Sequence, residues 1–254
     1  MKTWLTFALL VLALPLTAQT TPQYTYIVPV YGSARGVDAD FEALVIITNL
    51  ARVEANVRIG EIFSAGNCQA PATTQFKLAG ADSRLFIELF CSGLAAFTFI
   101  SDQPLFITND IVGKAFAPLE LTTRQGIDIR SEWLQGNRTY LFPNVEIETT
   151  GDNRARANLF LVNPNATPIQ VAVTTRRPTA TVPKYAINAT VVTVPAKSLI
   201  VHALAYVEEP STCDIAQLCS VNHQVLVESS AQFYGGVSSL RLVHGYWRDP
   251  LPLQ

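Results

Sequence analysis

The side chains of this chain best suited to catalysis or transition-metal binding are three histidines, His202, His223 and His244. The sequence pattern places His202 in an apolar strand, His223 at a loop end and His244 near the end of the last strand, so a three-histidine zinc site would need different elements of the C-terminal half to converge in tetrahedral geometry. A Ser-His-Asp hydrolase needs a nucleophile on a sharp turn, typically within G-x-S-x-G, and Gly236-Val237-Ser238 lacks the second glycine of that pattern. We therefore expect no catalytic residue, no metal ligand and no cofactor, and interpret the protein as a non-enzyme.

The acidic residues do not form a recognisable site either. Asp38, Asp40 and Glu42 alternate ahead of an apolar run, as calcium ligands in a loop can, but the calcium-binding EF-hand pattern is absent. Glu146 and Glu148 project to one face of an extended segment, without the groove that a glycosidase pair requires. We interpret both groups as solvated surface.

Aromatic side chains offer a different kind of site, a flat platform on which a sugar ring or a peptide can stack. The residues available for such a platform are Trp133, Phe233, Tyr234, Tyr246 and Trp247. We favour the alternative that these rings are buried, with Trp133 packing the joint between two domains and the last two covering the end of the second domain.

The N-terminus has the three parts of a secretory signal peptide. Met1-Lys2 gives a positive start, Leu5–Leu16 is a mostly apolar core, and Leu16-Thr17-Ala18 is an acceptable cleavage site before Gln19. We expect residues 1–18 to be removed and the mature protein to be secreted or periplasmic.

Four cysteines in a secreted chain indicate two disulfides, for which three connectivities are conceivable. Pairing of Cys68 with Cys91 and of Cys213 with Cys219 keeps each bond within one half of the chain, and we predict these two bonds. A zinc site built from all four thiolates lacks the close C-x-x-C spacing that zinc sites typically have.

Composition excludes several partners. The 254 residues carry a net charge of −2 with 15% charged residues, so the chain has no basic footprint for nucleic acid. After the leader no stretch approaches the roughly 18 apolar residues of a membrane span. A protein or glycan partner remains open, and the sequence leaves the oligomeric state open.

Short apolar runs separated by turn residues predict an all-β fold. Phe41–Thr48 is rich in apolar and β-branched residues, and Ile169–Thr175 alternates. Helical structure is expected only as a turn or two within Ile129–Gln135 and a single turn within Asp214–Cys219.

The chain contains similar features twice, at a constant spacing. Pro29 and Pro143, Asn49 and Asn163, and Val57 and Val171 are each separated by 114 residues. Equivalent placement at strand starts and ends predicts an internal duplication. The expected organisation is a first β-sandwich over residues 19–123, a linker over 124–138 and a second β-sandwich over 139–254.

Further along, the spacing of the repeat changes. Leu85 and Leu199 keep 114 residues, whereas Ser101 and Ser230 are 129 apart, so the second half carries 129 − 114 = 15 extra residues. They fall around Val207–Asn222, between the last match at a spacing of 114 and the matches at a spacing of 129. An insertion between strands forms a loop, and long loops on rigid scaffolds are common binding elements. The predicted binding residues in and beside this loop are Tyr206, Glu208, Glu209, Asp214 and Gln217.

The Tyr140-to-Pro143 opening, the apolar strand Leu159–Asn165 and the alternating strand Ile169–Val173 resemble tandem immunoglobulin-like modules of secreted bacterial proteins. The resemblance covers most of the mature chain and implies two antiparallel β-sandwiches with a non-catalytic role in binding, adhesion or structure. It carries no functional residue to this chain.

Two alternatives of other kinds stay open. A periplasmic assembly chaperone would pair an edge strand with its client and would need a basic anchor in the cleft between domains, for which Arg124, Arg130 and Arg138 are available. A carbohydrate-binding accessory protein would use the aromatic platform.

Overall fold

The computed structural model describes residues 23–35, 39–64, 66, 68–69, 74–87, 90–91, 93–115, 122–127, 129–147, 155–178, 185–207, 222–241 and 244–253. Its regular elements over these ranges are all β-strands, in antiparallel sheets, which confirms the all-β prediction. The described residues contain no helix, and the helical turns expected within Ile129–Gln135 are absent. That segment is extended, because Arg130 and Leu134 form bridges with Ile27 and Phe233.

In the N-terminal half the strands are β1 Tyr24–Arg35, β2 Ala39–Asn49, β3 Ala55–Ser64, β4 Cys68–Gln69, β5 Gln75–Leu78, β6 Ser83–Phe86, β7 Phe90–Cys91, β8 Leu94–Ser101, β9 Leu105–Ala115 and β10 Thr122–Ile127. In the C-terminal half they are β11 Arg138–Glu146, β12 Ala155–Asn163, β13 Ile169–Pro178, β14 Tyr185–Val194, β15 Ser198–Ala203, β16 Asn222–Ser229, β17 Tyr234–Arg241, β18 His244–Arg248 and β19 Leu251–Pro252.

Two sheets build the C-terminal half. One has the order β14-β13-β16-β11-β19 and the other has the order β15-β12-β17-β18. Alternate residues of both sheets meet in one apolar core, since period-2 alternation directs every second side chain inward. That core includes Phe142, Leu159, Leu161, Val171, Val173, Val225, Val227 and Phe233.

The N-terminal half repeats this order of pairing. One run of strands is β5-β3-β8-β1 and the other is β10-β9-β2, with β6 on the remaining edge of β2. The two runs are joined because β1 pairs with β8 over most of its length and with β2 from Gly32 to Arg35. Gly32 has a φ of +97°, and a Cβ there would overlap the carbonyl oxygen of Gly93, so this crossing point requires glycine.

Register irregularities also coincide in the two halves. The pairing of β1 with β8 shifts between Val28 and Tyr31, and that of β11 with β16 shifts between Phe142 and Val145, which is 114 residues later. Pro29 and Pro143 lie inside these irregularities. A proline has no amide hydrogen to donate, so a bulge is a position in a strand pair that tolerates it.

The strand registers correct the sequence alignment of the halves. Thr48 pairs with Ser83 and Val162 pairs with Leu199, so Leu199 corresponds to Ser83 at a spacing of 116 and not to Leu85. Leu85 is 47% exposed, whereas Leu199 is 2% exposed.

The spacing between equivalent residues of the later strands also needs correction. Val57 pairs with Ser101 and Val171 with Ser229, which gives a spacing of 229 − 101 = 128 in place of 129. The insertion between β15 and β16 is therefore 128 − 116 = 12 residues long. The two remaining extra residues lie between β13 and β15.

Two buried asparagines close equivalent turns. Asn163 Nδ2 donates to the carbonyls of Thr167, Val194 and Pro195 at 2.9–3.1 Å, and its Oδ1 accepts from the amide of Asn165. In the N-terminal half, Asn49 Nδ2 donates to the carbonyls of Val53, Leu78 and Ala79, and its Oδ1 accepts from the amide of Ala51. Each asparagine thus ties the end of its strand to two neighbouring turns.

A third apolar cluster joins the two halves. It consists of Ile27, Val30, Ala43, Phe63, Ala96, Ile111 and Ile127 from the N-terminal half and Phe160, Val162, Leu199 and Tyr234 from the C-terminal half. Strand β12 is consequently buried on both faces, because Leu159 and Leu161 face one core while Phe160 and Val162 face the other. The proposed linker starts inside this assembly, since its first residues belong to β10, which pairs with β9.

The Cys68–Cys91 disulfide is confirmed and joins the two-stranded sheet of β4 and β7. Cys213 and Cys219 lie outside the described residues, so their pairing stays a prediction.

Candidate functional site

The strand ends that carry the 12-residue insertion come together at the edge of the C-terminal core. Tyr206 and Val207 precede the insertion, and His223 follows it on β16. Arg177, near the end of β13, completes this group, which we call the loop base. The predicted binding residues Glu208, Glu209, Asp214 and Gln217 belong to residues 208–221, which the structure does not describe.

Arg177 is the central side chain of the loop base. It is 2% exposed, its Nη1 donates a hydrogen bond to the Tyr206 hydroxyl, and its Cζ lies 5.4 Å from the centroid of the Tyr206 ring. A cation is buried only when polar and aromatic groups replace its water. Burial of Arg177 therefore fixes the position of Tyr206, the last described residue but one before the loop.

His223 holds the same segment from the other side. It is fully buried, its Nε2 accepts a 3.4 Å hydrogen bond from the Val207 amide, and its ring contacts Tyr206 edge-on at 5.5 Å. A nitrogen that accepts an amide hydrogen uses its lone pair, so this nitrogen is engaged in structure. The loop base is thus suited to holding both ends of a loop in place.

Sequence reasoning identified Tyr206 but missed Arg177. The signal for it was present, because the inward residues of β13 follow every second position from Ile169, and that series reaches Arg177. A strand pattern that delivers an arginine to the core beside a loop indicates a structural anchor for that loop.

Of the three histidines, His202 and His223 have described side chains, and they lie on strands of different sheets. His223 is buried at the loop base, and His202 is half-buried on β15, where its strand partner is Leu159. The side chain of His244 is not described. No group of three or more histidine, cysteine or acidic residues among the described positions could hold a metal ion.

The aromatic platform needs a correction. Phe233 and Tyr234 are fully buried, so neither ring offers a face to a ligand. Phe233 packs edge-on against Tyr140 at 5.9 Å in the C-terminal core, and Tyr234 belongs to the cluster between the halves. Side chains of β17 alternate between two cores, with Val237 in the C-terminal core and Tyr234 in the cluster between the halves. The first residue of this strand is therefore buried.

Of the other platform residues, only Trp133 has a described side chain. Trp133 is half-buried and packs edge-on against Phe63 at 5.3 Å, at the joint between the halves. Tyr246 and Trp247 lie on β18, and their side chains are outside the described part of the structure.

Polar contacts also cross between the halves. Ser238 Oγ donates a buried 2.6 Å hydrogen bond to Gln125 Oε1, and Lys197 Nζ lies 2.9 Å from Glu61 Oε1. Arg130, one of the basic anchors considered for a chaperone, lies 3.5 Å from Asp249. Of the two others, Arg138 is exposed at the start of β11, and the side chain of Arg124 is not described.

Among the described residues the pKa is clearly shifted for two groups, and both shifts have structural causes away from the loop base. Burial raises the pKa of the Tyr26 hydroxyl, although this oxygen also accepts a hydrogen bond from the Leu105 amide that opposes the shift. A hydrogen bond to Glu54 raises the pKa of the exposed Lys77 ammonium. Neither group is poised for proton transfer near neutral pH.

Comparison of the chain with protein-family models, curated proteins and solved structures found no match. Across the described ranges, no helix is long and apolar enough to cross a membrane. The function is therefore argued from the residues of this chain alone.

Proposed function

We propose that this chain is a secreted, non-catalytic protein with two immunoglobulin-like β-sandwiches that arose by internal duplication. The second sandwich binds a partner protein through residues 208–221. The observation that carries the binding role is the loop base, where Arg177, Tyr206 and His223 anchor an insertion that the first half lacks.

Duplication is supported by details that hydrophobic patterning alone does not demand. The order of strand pairing is the same in both halves, a proline-containing irregularity recurs after 114 residues, and Asn49 and Asn163 bind equivalent carbonyls. Many strand orders bury alternating apolar residues equally well. Shared ancestry of the halves accounts for all three features together.

The chemistry of the loop indicates its partner. Residues 208–221 contain Glu208, Glu209 and Asp214 and no lysine, arginine or histidine, so the loop carries three negative charges. A predicted bond between Cys213 and Cys219 would restrict the loop and lower the entropy lost on binding. An acidic, restrained loop fits a basic protein surface, and such contacts accelerate association at low salt.

A glycan partner has less support than a protein partner. Carbohydrate binding relied on an exposed aromatic row, and Phe233 and Tyr234 are buried. The remaining pair on β18 would have to form the platform alone.

The test compares capture of partners by three forms of the mature protein. The first is unaltered, the second carries E208Q/E209Q/D214N in the loop, and the third carries D38N/D40N/E42Q as a control with the same loss of charge. Each is immobilised and exposed to the surface and secreted proteins of its source, with bound proteins quantified by mass spectrometry.

We expect the loop variant to capture at least tenfold less of a specific partner than the unaltered protein does. The control variant should capture as much as the unaltered protein. The signal should also weaken as salt is raised, because the contact is electrostatic. Equal capture by all three forms would contradict binding through this loop.

A further inference from the structure

Strand β14 ends the five-stranded sheet with an open edge. It pairs with β13 along all ten of its residues, and no other described strand pairs with its outer side. Exposed edges present unpaired backbone groups, and proteins usually protect them with charged residues, proline or short length.

The comparable edges of this structure are protected in these ways. Strand β5 has four residues and carries Lys77, which lies 2.7 Å from Glu54. Strand β19 has two residues and includes Pro252. Strand β15 packs against the N-terminal half through β3 and β8, and β10 packs against β18.

Strand β14 has none of these protections. Its sequence, YAINATVVTV, contains no charged residue and no proline. Ile187 is 61% exposed and Val191 is 63% exposed, and among the exposed large apolar residues described only Ile87 exceeds Val191, while Leu50 equals Ile187. Their strand partners are Arg176 and Ala172, which alternate with the core residues of β13, so both apolar side chains lie on the outer face of the sheet.

We propose that β14 pairs antiparallel with β14 of a second copy of this chain, about a twofold axis at Ala189. In this register the numbers of two residues that face each other sum to 378. Ile187 therefore lies opposite Val191 of the second copy, and by symmetry Val191 lies opposite Ile187 of the second copy. The two five-stranded sheets then form one continuous sheet.

The strand itself favours a second copy as its occupant. Twofold symmetry requires a self-complementary surface, and a strand without charge has no like charges to oppose each other in self-pairing. A shift of the axis to Thr190 would place Ile187 opposite Thr193, whereas the register at Ala189 pairs the two exposed large apolar residues of the strand with each other. On the other face it places Asn188 opposite Thr190, two exposed polar residues that can hydrogen-bond.

The oligomeric state of the mature protein tests this pairing. Sedimentation velocity over a range of concentrations should show a dimer, and I187K/V191K should dissociate it by placing lysines opposite lysines across the axis. Val53→Lys is the matched control, because Val53 is 58% exposed and lies in the N-terminal half. I187K/V191E should restore the dimer, since each lysine then faces a glutamate.

A cysteine on the axis tests the register. Directly opposed residues in antiparallel strands have Cα atoms about 4.5–5.5 Å apart, which is within reach of a disulfide. Ala189→Cys should therefore yield a covalent dimer on mild oxidation, whereas Val53→Cys should not.

Several results would overturn the proposal. They are a monomer at every soluble concentration, a dimer that survives I187K/V191K, and a dimer that I187K/V191E fails to restore. A monomer whose β14 instead binds added β-strand peptides would assign this edge to a different protein, as a chaperone would use it.

Discussion

Replacement of Asn163 by alanine should destabilise the C-terminal half strongly, although the change removes only a small polar group. Asn163 is fully buried and connects its own strand to the carbonyls of Thr167, Val194 and Pro195 and to the amide of Asn165. Its two amide hydrogens and its Oδ1 account for about three net hydrogen bonds, each worth about 1 kcal/mol. The expected loss is therefore about 3 kcal/mol, or roughly 6–12 °C in Tm for a chain of this size.

Urea denaturation of the purified protein, followed by circular dichroism, measures this loss. Asn158→Ala is the control, because Asn158 lies on the same strand and is only half-buried. Asn49→Ala should cost a similar amount, since its hydrogen bonds are equivalent. If Asn163→Ala changes the free energy of unfolding by no more than Asn158→Ala does, the asparagines are not the ties that we describe.

Three further perturbations test other parts of the fold. Replacing Cys68 and Cys91 together by alanine should lower the free energy of unfolding by about 3 kcal/mol, because the bond closes a loop with a sequence separation of 23; an unchanged urea midpoint would contradict this. Gly32→Ala should lower the Tm more than Gly93→Ala does. Both residues have positive φ, but of the two only Gly32 would place a Cβ in overlap with the backbone. Equal decreases in Tm would contradict the close approach of β1 to Gly93. The raised pKa of Tyr26 means that the unfolded chain loses this proton first, so the stability it contributes is complete below about pH 10 and is lost as the pH rises through the folded pKa. Tyr26→Phe should accordingly reduce the alkaline loss of stability in urea titrations, and an identical pH profile would refute the assignment.

The sequence allowed prediction of those features that depend on local chemistry. Alternation of apolar residues predicted the strands, and the apolar run that ends at Asn163 correctly placed the end of β12. The Cys68–Cys91 pair was predictable because both cysteines belong to one half. Each of these conclusions needed only a short stretch of chain and a general rule about it.

Features that depend on packing between distant segments were not predictable in this way. Matching Leu85 to Leu199 by residue type failed, because the register is set by β2 and β12 and the two extra residues lie between β13 and β15. Burial was the favoured interpretation for Phe233 and Tyr234, but the sequence did not show that they belong to different cores. Phe233 lies in the C-terminal core, and Tyr234 lies in the second core, between the halves. The continuous run Leu159–Val162 reflects that core too, since a strand buried on both faces does not alternate.

The candidate site shows the same division. The position of the longer connection between β15 and β16 followed from comparison of the two halves, although its extra length was overestimated by three residues, 15 against 12. Arg177 was missed because a charged residue near a strand end is usually exposed. The alternation of β13 could have indicated that Arg177 points inward, and its contact with Tyr206 identifies the segment that it anchors.

Site-specific photo-crosslinking shows directly whether residues 208–221 contact a partner. A photoreactive amino acid replaces Gln217 in the loop or, as a control, the exposed Gln75 on β5, in cells that naturally produce the protein. After irradiation, the account predicts a covalent adduct with one partner from position 217 and none from position 75. Absence of an adduct at position 217, or equal adducts from both positions, would contradict it.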